Sequence, residues 1–312
     1  MSHRIEVFGM TDIGRKRETN EDQFMIADVG RTMKVFQSSL PINHHTRMFG
    51  EGRGKILVVA DGMGGHAAGE RASQLAVEGI VDFLLNAPGC RAMPTDAIQT
   101  DDGSHDPILE CFIDMLPHCQ RMIDREVAGA PSQRGMGSTL TLAFVLWPKL
   151  YLVHAGDSRC YLNRDGKTHQ LTNDHTLGAV SASHRMHSNE MQPDPKGKMH
   201  QMLWNVVGGS GDVYSDLTSI DLRIGDSLIL CSDGLTKYLS RKRIGNVISS
   251  AERMDEACRL LVEEANEGGG SDNITVVACR FVEIPEGVRT DQTITFPLSV
   301  IGEIKTVIPD SV

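Results

Sequence analysis

The sequence has no excess of positive charge. Its 31 Lys and Arg face 41 Asp and Glu, for a formal net charge of -10 at pH 7, and the sequence pI is near 5.6. A surface made for nucleic acid or anionic lipid needs a local surplus of cations, so neither is expected as a partner. There is no apolar run long enough to cross a bilayer, and Met1 to Arg17 lacks the apolar core of a secretory leader. The expectation is a cytoplasmic protein with no membrane insertion. The seven cysteines are odd in number, scattered, and never form a C-x-x-C pair. Zinc and disulfide roles are therefore disfavoured, and the thiols read as reduced core residues. What the chain does have is 312 residues that are 40% hydrophobic, ample for a globular core. An acidic protein that acts on phosphates would need metal ions to reverse the local field.

The most informative stretch is Lys55 to Glu70. Lys55 to Ala60 is an aliphatic run of buried-strand length that ends at Asp61, and glycines follow at 62, 64, 65 and 69. Glycine lets the backbone turn sharply beside the carboxylate, so Asp61 and the Gly62 carbonyl can offer one cation two hard oxygen ligands. The same letters fit a dinucleotide-binding glycine fingerprint. That reading requires a second parallel strand about 20 residues on, ending in an acid. Here Glu78 and Asp82 fall inside a helical pattern, and nothing strand-like appears before Thr139. Standing alone, the segment reads better as a tight turn.

The rest of the chain supplies the context. Arg4 to Thr11 alternates as an edge strand would. The charged cluster Arg17-Glu-Thr-Asn-Glu-Asp22 precedes the apolar Phe24 to Ala27, and adjacent acids at that place repel unless a cation compensates them. Val29 to Gly54 has no clear period and reads as a loop with one short strand, 34–36. Ala72, Leu75, Ala76, Ile80, Phe83 and Leu84 recur at helical spacing and predict a helix over about 69–86. Asp106-Pro107 is an N-cap followed by a first-turn proline, opening a second helical pattern to Ile123. Pro117 inside it predicts a kink or two shorter helices. Leu140–Leu146, Leu150–His154 and Cys160–Asn163 read as strands on short turns, hence antiparallel. Residues 178–198 have neither period and read as a mobile flap. Ser240–Ser250 and Asp255–Glu267 follow as helices, and Ile274–Arg280 as a strand.

One acid beside a turn means little. Asp61 and Asp233 each follow an apolar strand, though, and Asp272 precedes one, all with glycine or serine beside them. Together they begin to look like a convergent cation cage.

These residues identify a family resemblance. Arg17-Glu-Thr-Asn-Glu-Asp22, Asp61-Gly-Met-Gly-Gly-His66 with Gly69-Glu70, Gly135-Met-Gly-Ser-Thr139, Ala155-Gly-Asp-Ser-Arg159, Cys231-Ser-Asp-Gly-Leu235 and Gly270-Ser-Asp-Asn273 occur in order between Glu6 and Phe281. In this the chain resembles the PP2C (PPM) metal-dependent serine/threonine protein phosphatases, the bacterial branch in particular. The resemblance implies an α+β fold, a central sandwich of two antiparallel sheets with helices on both outer faces. It implies a phosphatase domain over 1–282 with a flap at 178–200, and an extension over 283–312 that lies outside the match. It implies two Mn2+ or Mg2+ ions held by Glu21, Asp61, the Gly62 carbonyl, Asp233 and Asp272, with Asp22 behind them orienting water. Asp157 with Asp233 matches a third, weaker metal site. Arg17 matches the clamp on the substrate phosphate.

The implied reaction is in-line attack on a protein phosphoserine or phosphothreonine by a hydroxide bridging the metals, with no covalent intermediate. The implied partner is a phosphorylated protein, the target of a Ser/Thr kinase, and the expected state is a monomer. Where some members carry a histidine directly after Asp-Gly, this chain has Met63. That leaves His66 or a metal-bound water as the acid for the leaving group. The rival readings are a catalytically weak phosphoprotein-binding relative, set against by the complete set of carboxylates, and a small-molecule phosphoesterase, which a substrate panel separates.

Overall fold

The computed structural model describes residues 3–34, 47–65, 67–86, 106–185, 201–209 and 211–283. Two antiparallel sheets form its centre. One runs in the order β1 (His3–Asp12), β11 (Ile274–Glu283), β10 (Ser227–Cys231), β7 (Arg159–Arg164), β8 (Lys167–Gln170). The other runs β2 (Asp22–Lys34), β3 (Arg47–Met63), β5 (Leu140–Leu146), β6 (Lys149–Ala155), β9 (Asp216–Asp221), with β4 (Gly137–Ser138) paired to the end of β3. The first strand is an edge strand, as its alternation predicts.

Side-chain alternation sorts the core into three layers. Leu57, Val59, Leu150, Leu152, Leu228, Leu230 and Phe281 fill the space between the sheets. The opposite face of the second sheet, with Ile56, Val58, Leu142 and Phe144, packs on helices α1 (Ala67–Asn86), α2 (Pro107–Ile113) and α3 (Met115–Gly129). The opposite face of the first sheet, with Ile229, Val276 and Ala278, packs on α6 (Arg241–Ser250) and α7 (Met254–Glu267). Lys55 to Ala60 lacks polar alternation for this reason: both of its faces are covered. The result is helix, sheet, sheet, helix, which is the α+β sandwich implied by the motifs.

Three local expectations come out differently in detail. The helical pattern after Asp106 does split in two, but at Asp114 rather than at Pro117. Asp106 caps α2 by accepting from the Ile108 amide at 3.0 Å. Pro117 then falls in the first turn of α3, where its missing N–H deprives no carbonyl of a partner. Within Val29 to Gly54 there is more strand than the lack of period suggests. Strands β2 and β3 pair out to Lys34 and Arg47, with a shift of register between Gly30 and Thr32, so cross-strand hydrogen bonds carry the hairpin through a stretch whose sequence has no period. The strand expected over 34–36 lies mostly outside the described residues. Finally, the stretch expected to have no period begins with a helix, α4 (Leu177–Arg185), capped where Thr176 Oγ1 accepts from the Ala179 amide at 3.1 Å. Residues 186–200 and 284–312, which carry the rest of the flap and nearly all of the extension, lie outside the described residues.

The double-sided core predicts a sharp contrast between two leucines. Leu152 is 1% exposed between the sheets and Leu85 is 67% exposed on α1. Leu152→Ala is expected to lower unfolding free energy by about 2–5 kcal/mol, and Leu85→Ala by less than about 0.5 kcal/mol. Urea denaturation of the two variants checks this.

Candidate metal centre

The strand order brings the candidate acids to one edge of the sandwich. Where β3 ends lie Asp61 and Gly62, and Asp22, the first residue of β2, stands opposite Asp61 in the ladder. Glu21 immediately precedes it. Asp157 lies in the turn from β6 to β7, Asp233 opens the short helix α5 (Asp233–Thr236) just after β10, and Asp272 lies two residues before β11. In an antiparallel sandwich β3, β6 and β10 finish where β2, β7 and β11 begin. Residues as far apart as 21 and 272 therefore share a neighbourhood.

A set of hydrogen bonds fixes each piece. The Asp61 amide donates to Thr139 Oγ1 at 2.9 Å, the Thr139 amide donates back to the Asp61 carbonyl at 2.9 Å, and Thr139 Oγ1 meets Ser158 Oγ at 2.8 Å. This ties the Gly-Ser-Thr139 motif to the turn that carries Asp157. The same turn is clamped from the segment that follows β8. His175 donates its amide to the Gly156 carbonyl at 2.8 Å and accepts the Gly156 amide at Nδ1 at 3.2 Å. Ser232 Oγ donates to Asp22 Oδ2 at 2.7 Å while accepting the Thr275 amide at 3.0 Å. Asn273 Oδ1 accepts the Glu21 amide at 2.8 Å, and its Nδ2 donates to the carbonyls of Ile13 at 3.0 Å and Thr19 at 2.9 Å. One asparagine thus pins the whole loop that holds Arg17 and Glu21.

Two glycines are required by close approach. A Cβ on Gly62 would lie 2.0 Å from the Gly69 carbonyl oxygen, and one on Gly69 would lie 2.1 Å from Glu21 Oε2. The Glu21 carboxylate is seated against the first turn of α1 in space that any larger residue would fill. The Gly62 amide donates to the Glu21 carbonyl at 3.1 Å, locking the two together.

The electrostatics show the acids acting on one another. Burial, first, and then the charges of Asp22, Asp233, Asp157 and Asp272 hold the Asp61 carboxyl well above its usual range. Burial pushes Asp22 up to about 7, against hydrogen bonds from Ser232 and Thr275 that draw it down, with the charges of Asp233 and Asp272 adding to the rise. Asp157 is raised to about 7 by burial and by the charges of Asp233 and Asp174, and is drawn down by Lys237. Burial also raises Asp233, opposed by Lys237. Charges buried together in this way demand compensation.

Part of that compensation comes from the chain. Lys237 Nζ sits 2.8 Å from Asp233 Oδ2 and 2.6 Å from Asp272 Oδ2, and Arg17 Nη2 lies 2.7 Å from Asp272 Oδ1. Arg17 is therefore at the acidic edge, on Asp272. Both Asp272 oxygens are engaged this way, and no three acidic, histidine or cysteine side chains among the described residues close into a metal shell. The donor chemistry nevertheless fits divalent ions. The candidates are all hard oxygens, and the buried Asp22 Oδ1 and Asp233 Oδ1 have no hydrogen-bond partner. An ionised carboxylate with an orphaned buried oxygen is stable only beside a cation.

The structure thus brings Asp22, Asp61, Asp157, Asp233 and Asp272 together, with Glu21 and Gly62 joined to them through the backbone. His66 lies outside the described residues. Sequence reasoning missed Lys237, although its i,i+4 spacing from Asp233 on a helical turn was a usable signal. It also quoted Thr139, Ser158, Ser232 and Asn273 inside motifs without seeing that their side chains hold the acids in place. A cavity of about 330 Å³ at the opposite end of the same strands, lined by Asn163, Arg164, Arg223, Asp226 and Arg280, contains none of the candidates. Cavity size does not locate this site.

Comparison with known proteins points the same way. A family model described as Protein phosphatase 2C matches residues 38–270. Protein phosphatase PhpP of Streptococcus pneumoniae is 28% identical over 273 residues, which is 87% of this chain and 96% of that protein. Serine/threonine protein phosphatase PstP of Mycobacterium tuberculosis is 34% identical over 236 residues, covering 75% of this chain and 41% of that one. Among solved structures, the PstP catalytic domain in complex with two manganese ions aligns with a TM-score of 0.66 at 29% identity, covering 90% of this chain and all of that one. The family model spans Asp61, Gly62, Asp157 and Asp233 but not Arg17, Glu21, Asp22 or Asp272. The case for those four rests on the geometry above.

The raised carboxyls predict a pH signature. Asp22 and Asp157 stand near 7 in the folded chain against an ordinary 3.8, so the folded state binds more protons than the unfolded one between those values. Their contribution to stability is complete below about 4 and is lost as pH rises through about 7. In EDTA, Tm is expected to fall between pH 5 and pH 8. Mn2+ held by Asp61 and Asp233, whose carboxyls burial also raises, would require their ionised forms, so its binding is expected to release protons and to tighten as pH rises. Calorimetric titration in two buffers of different ionisation enthalpy measures that release.

Proposed function

Because the chain belongs to the protein phosphatase 2C family, we propose that it removes phosphate from phosphoserine and phosphothreonine in proteins, using two Mn2+ or Mg2+ ions at its acidic edge. The observation that carries the reading is the meeting of Asp22, Asp61, Asp157, Asp233 and Asp272 around orphaned buried oxygens. Glu21, Asp61, the Gly62 carbonyl, Asp233 and Asp272 hold the ions. Divalent ions in such a site neutralise phosphate charge and bring the pKa of a bound water toward neutrality.

The remaining work falls to side chains. Asp22, held from behind by Ser232, keeps one oxygen free to orient water, and outer contacts of this type fix the geometry that the ions need. Arg17, with 44% of its side chain exposed and one donor on Asp272, presents a planar guanidinium suited to two phosphate oxygens. It stabilises charge on the oxygens that remain on phosphorus as the attacking and leaving oxygens pass in line. No side-chain nucleophile is used. Cys160 and Cys231 are fully buried, and burial pushes the Cys231 thiol up to about 12, which is the reverse of an activated thiolate. The leaving oxygen takes its proton from solvent bound at the site, with His66 as the side-chain candidate. In the cell the protein acts as a cytoplasmic monomer opposing a Ser/Thr kinase. No helix among the described residues is long and apolar enough to cross a membrane.

Two experiments test this. With a phosphothreonine peptide, activity is expected to require Mn2+ or Mg2+, to vanish in EDTA, and to drop in Asp233→Asn by more than about 100-fold, beyond the cost of an outer contact. Turnover independent of metal would refute the mechanism. With an activated aryl phosphate, whose leaving group needs no acid, His66→Ala is expected to keep most of the wild-type rate. A loss as deep as that of Asp61→Ala would make His66 part of the metal machinery.

A further inference from the structure

His175 takes no part in the proposed mechanism, yet it is buried where three separate parts of the chain meet. Its main chain donates to the Gly156 carbonyl at 2.8 Å and accepts the Trp204 amide at 3.0 Å. Its Nδ1 accepts the Gly156 amide at 3.2 Å and the Asn205 side-chain amide at 2.9 Å. An asparagine nitrogen can only donate, so Nδ1 carries no proton, and the ring's single N–H is at Nε2, 3.6 Å from Asp216 Oδ2 on the edge strand β9. The ring also packs against those of His154 and Trp204, both with centroids 4.8 Å away. One histidine thus holds both the amide and the carbonyl of Gly156. Two residues on, Ser158 Oγ meets Thr139 Oγ1 at 2.8 Å, and Thr139 Oγ1 accepts the Asp61 amide at 2.9 Å. Ser158 and Thr139 are themselves buried, so bulk solvent does not replace a link that is lost.

We propose that His175 is a positioning residue for the metal centre: it sets the turn 156–158 and, through Ser158 and Thr139, fixes Asp61, so that the placement of residues 201–209 is felt at the ion-binding edge. The inference rests on the reading that Asp61 holds divalent ions. What His175 contributes is an acceptor at one defined point, Nδ1, on which the Gly156 and Asn205 donors converge. A histidine kept for packing alone would owe its place to the contacts with the His154 and Trp204 rings, which a phenylalanine can also make. Coupling between two sites is reciprocal. If His175 changes how Asp61 binds an ion, the ion in turn changes the surroundings of His175 and of the Trp204 ring packed on it.

The test measures Mn2+ binding by calorimetry in wild type, His175→Phe, His175→Asn, Ser158→Ala and the double variant with His175→Phe and Ser158→Ala. Phenylalanine keeps the ring and removes the acceptor, whereas asparagine gives up the ring and offers an oxygen near the place of Nδ1. His175→Phe and Ser158→Ala are each expected to weaken Mn2+ binding about 10-fold or more, the usual cost of losing a contact behind a metal ligand. The double variant is expected to bind no more weakly than the worse single one, because both changes cut one path. His175→Asn is expected to bind more tightly than His175→Phe. Wild-type affinity in His175→Phe would overturn the proposal, as would losses that add in the double variant, or a His175→Asn chain no better than His175→Phe. If wild type binds no Mn2+ at all, the two-metal reading falls and this inference with it. If wild type binds and His175→Phe binds equally well, only the inference falls. Should His175→Phe not fold, the reciprocal effect carries the test in a Trp147→Phe chain, where Trp204 is the one tryptophan left of two. Saturating Mg2+ is expected to shift the Trp204 emission of that chain and to leave it unmoved once Ser158→Ala is added. No shift in the first chain, or the same shift in both, would overturn the proposal.

Discussion

The constraint on which the rest of the structure depends is electrostatic: several carboxylates are held, partly buried, at one edge of a β-sandwich. Two like charges 4 Å apart cost about 4 kcal/mol at an effective dielectric of 20, and the burial of each adds to that. A net stability of about 5–15 kcal/mol for an ordinary domain leaves little room for several such pairs. The acids are kept in place because the sandwich over-determines them. Asp61 continues a strand whose two faces are both in the core, Asp22 is fixed across from it by the ladder, and Asn273 ties the Glu21 amide to the loop before β2. The core supplies the stability that the acidic edge removes, and on the proposed reading divalent ions would restore it.

This view also explains why the polar groups around the site are small and specific. Thr139, Ser158, Ser232 and Asn273 each join two motifs far apart in sequence. None carries charge, so they add no repulsion. Gly62 and Gly69 let backbone and carboxylate approach to distances that any Cβ would prevent. The positive residues, Lys237 and Arg17, reach in from the rim and engage the outer acids, Asp233 and Asp272. On the proposed reading the inner acid Asp61 is left to the ions, with Asp22 behind it. That division would suit a catalyst that holds metal inside and receives an anionic substrate from outside.

Much of this was legible in the sequence because the signals were local. Asp61 and Asp233 after apolar strands, the short turns joining the strands between Leu140 and Asn163, and the capped helix at Asp106 all follow from neighbours in the chain. The break at Asp114 was misplaced because Pro117 was treated as an interior residue, whereas a helix that restarts at Met115 makes it a first-turn residue. The length of the β2–β3 hairpin was invisible because cross-strand hydrogen bonds leave no periodic trace of their own and the register shifts between Gly30 and Thr32. Lys237 was missed for a related reason. Its partner Asp272 is 35 residues away, and the i,i+4 half of the pair was too common a pattern to stand out. Contacts set by topology, rather than by propensity, were the ones the sequence did not reveal.

The direct test of the central claim is diffraction from crystals grown with Mn2+, recorded at the manganese absorption edge. The account predicts two anomalous peaks at this edge, within bonding distance of the carboxylates and carbonyl that would hold them, Glu21, Asp61, Gly62, Asp233 and Asp272. Crystals in which manganese is absent from this edge, or bound elsewhere while these carboxylates stand apart, would contradict it.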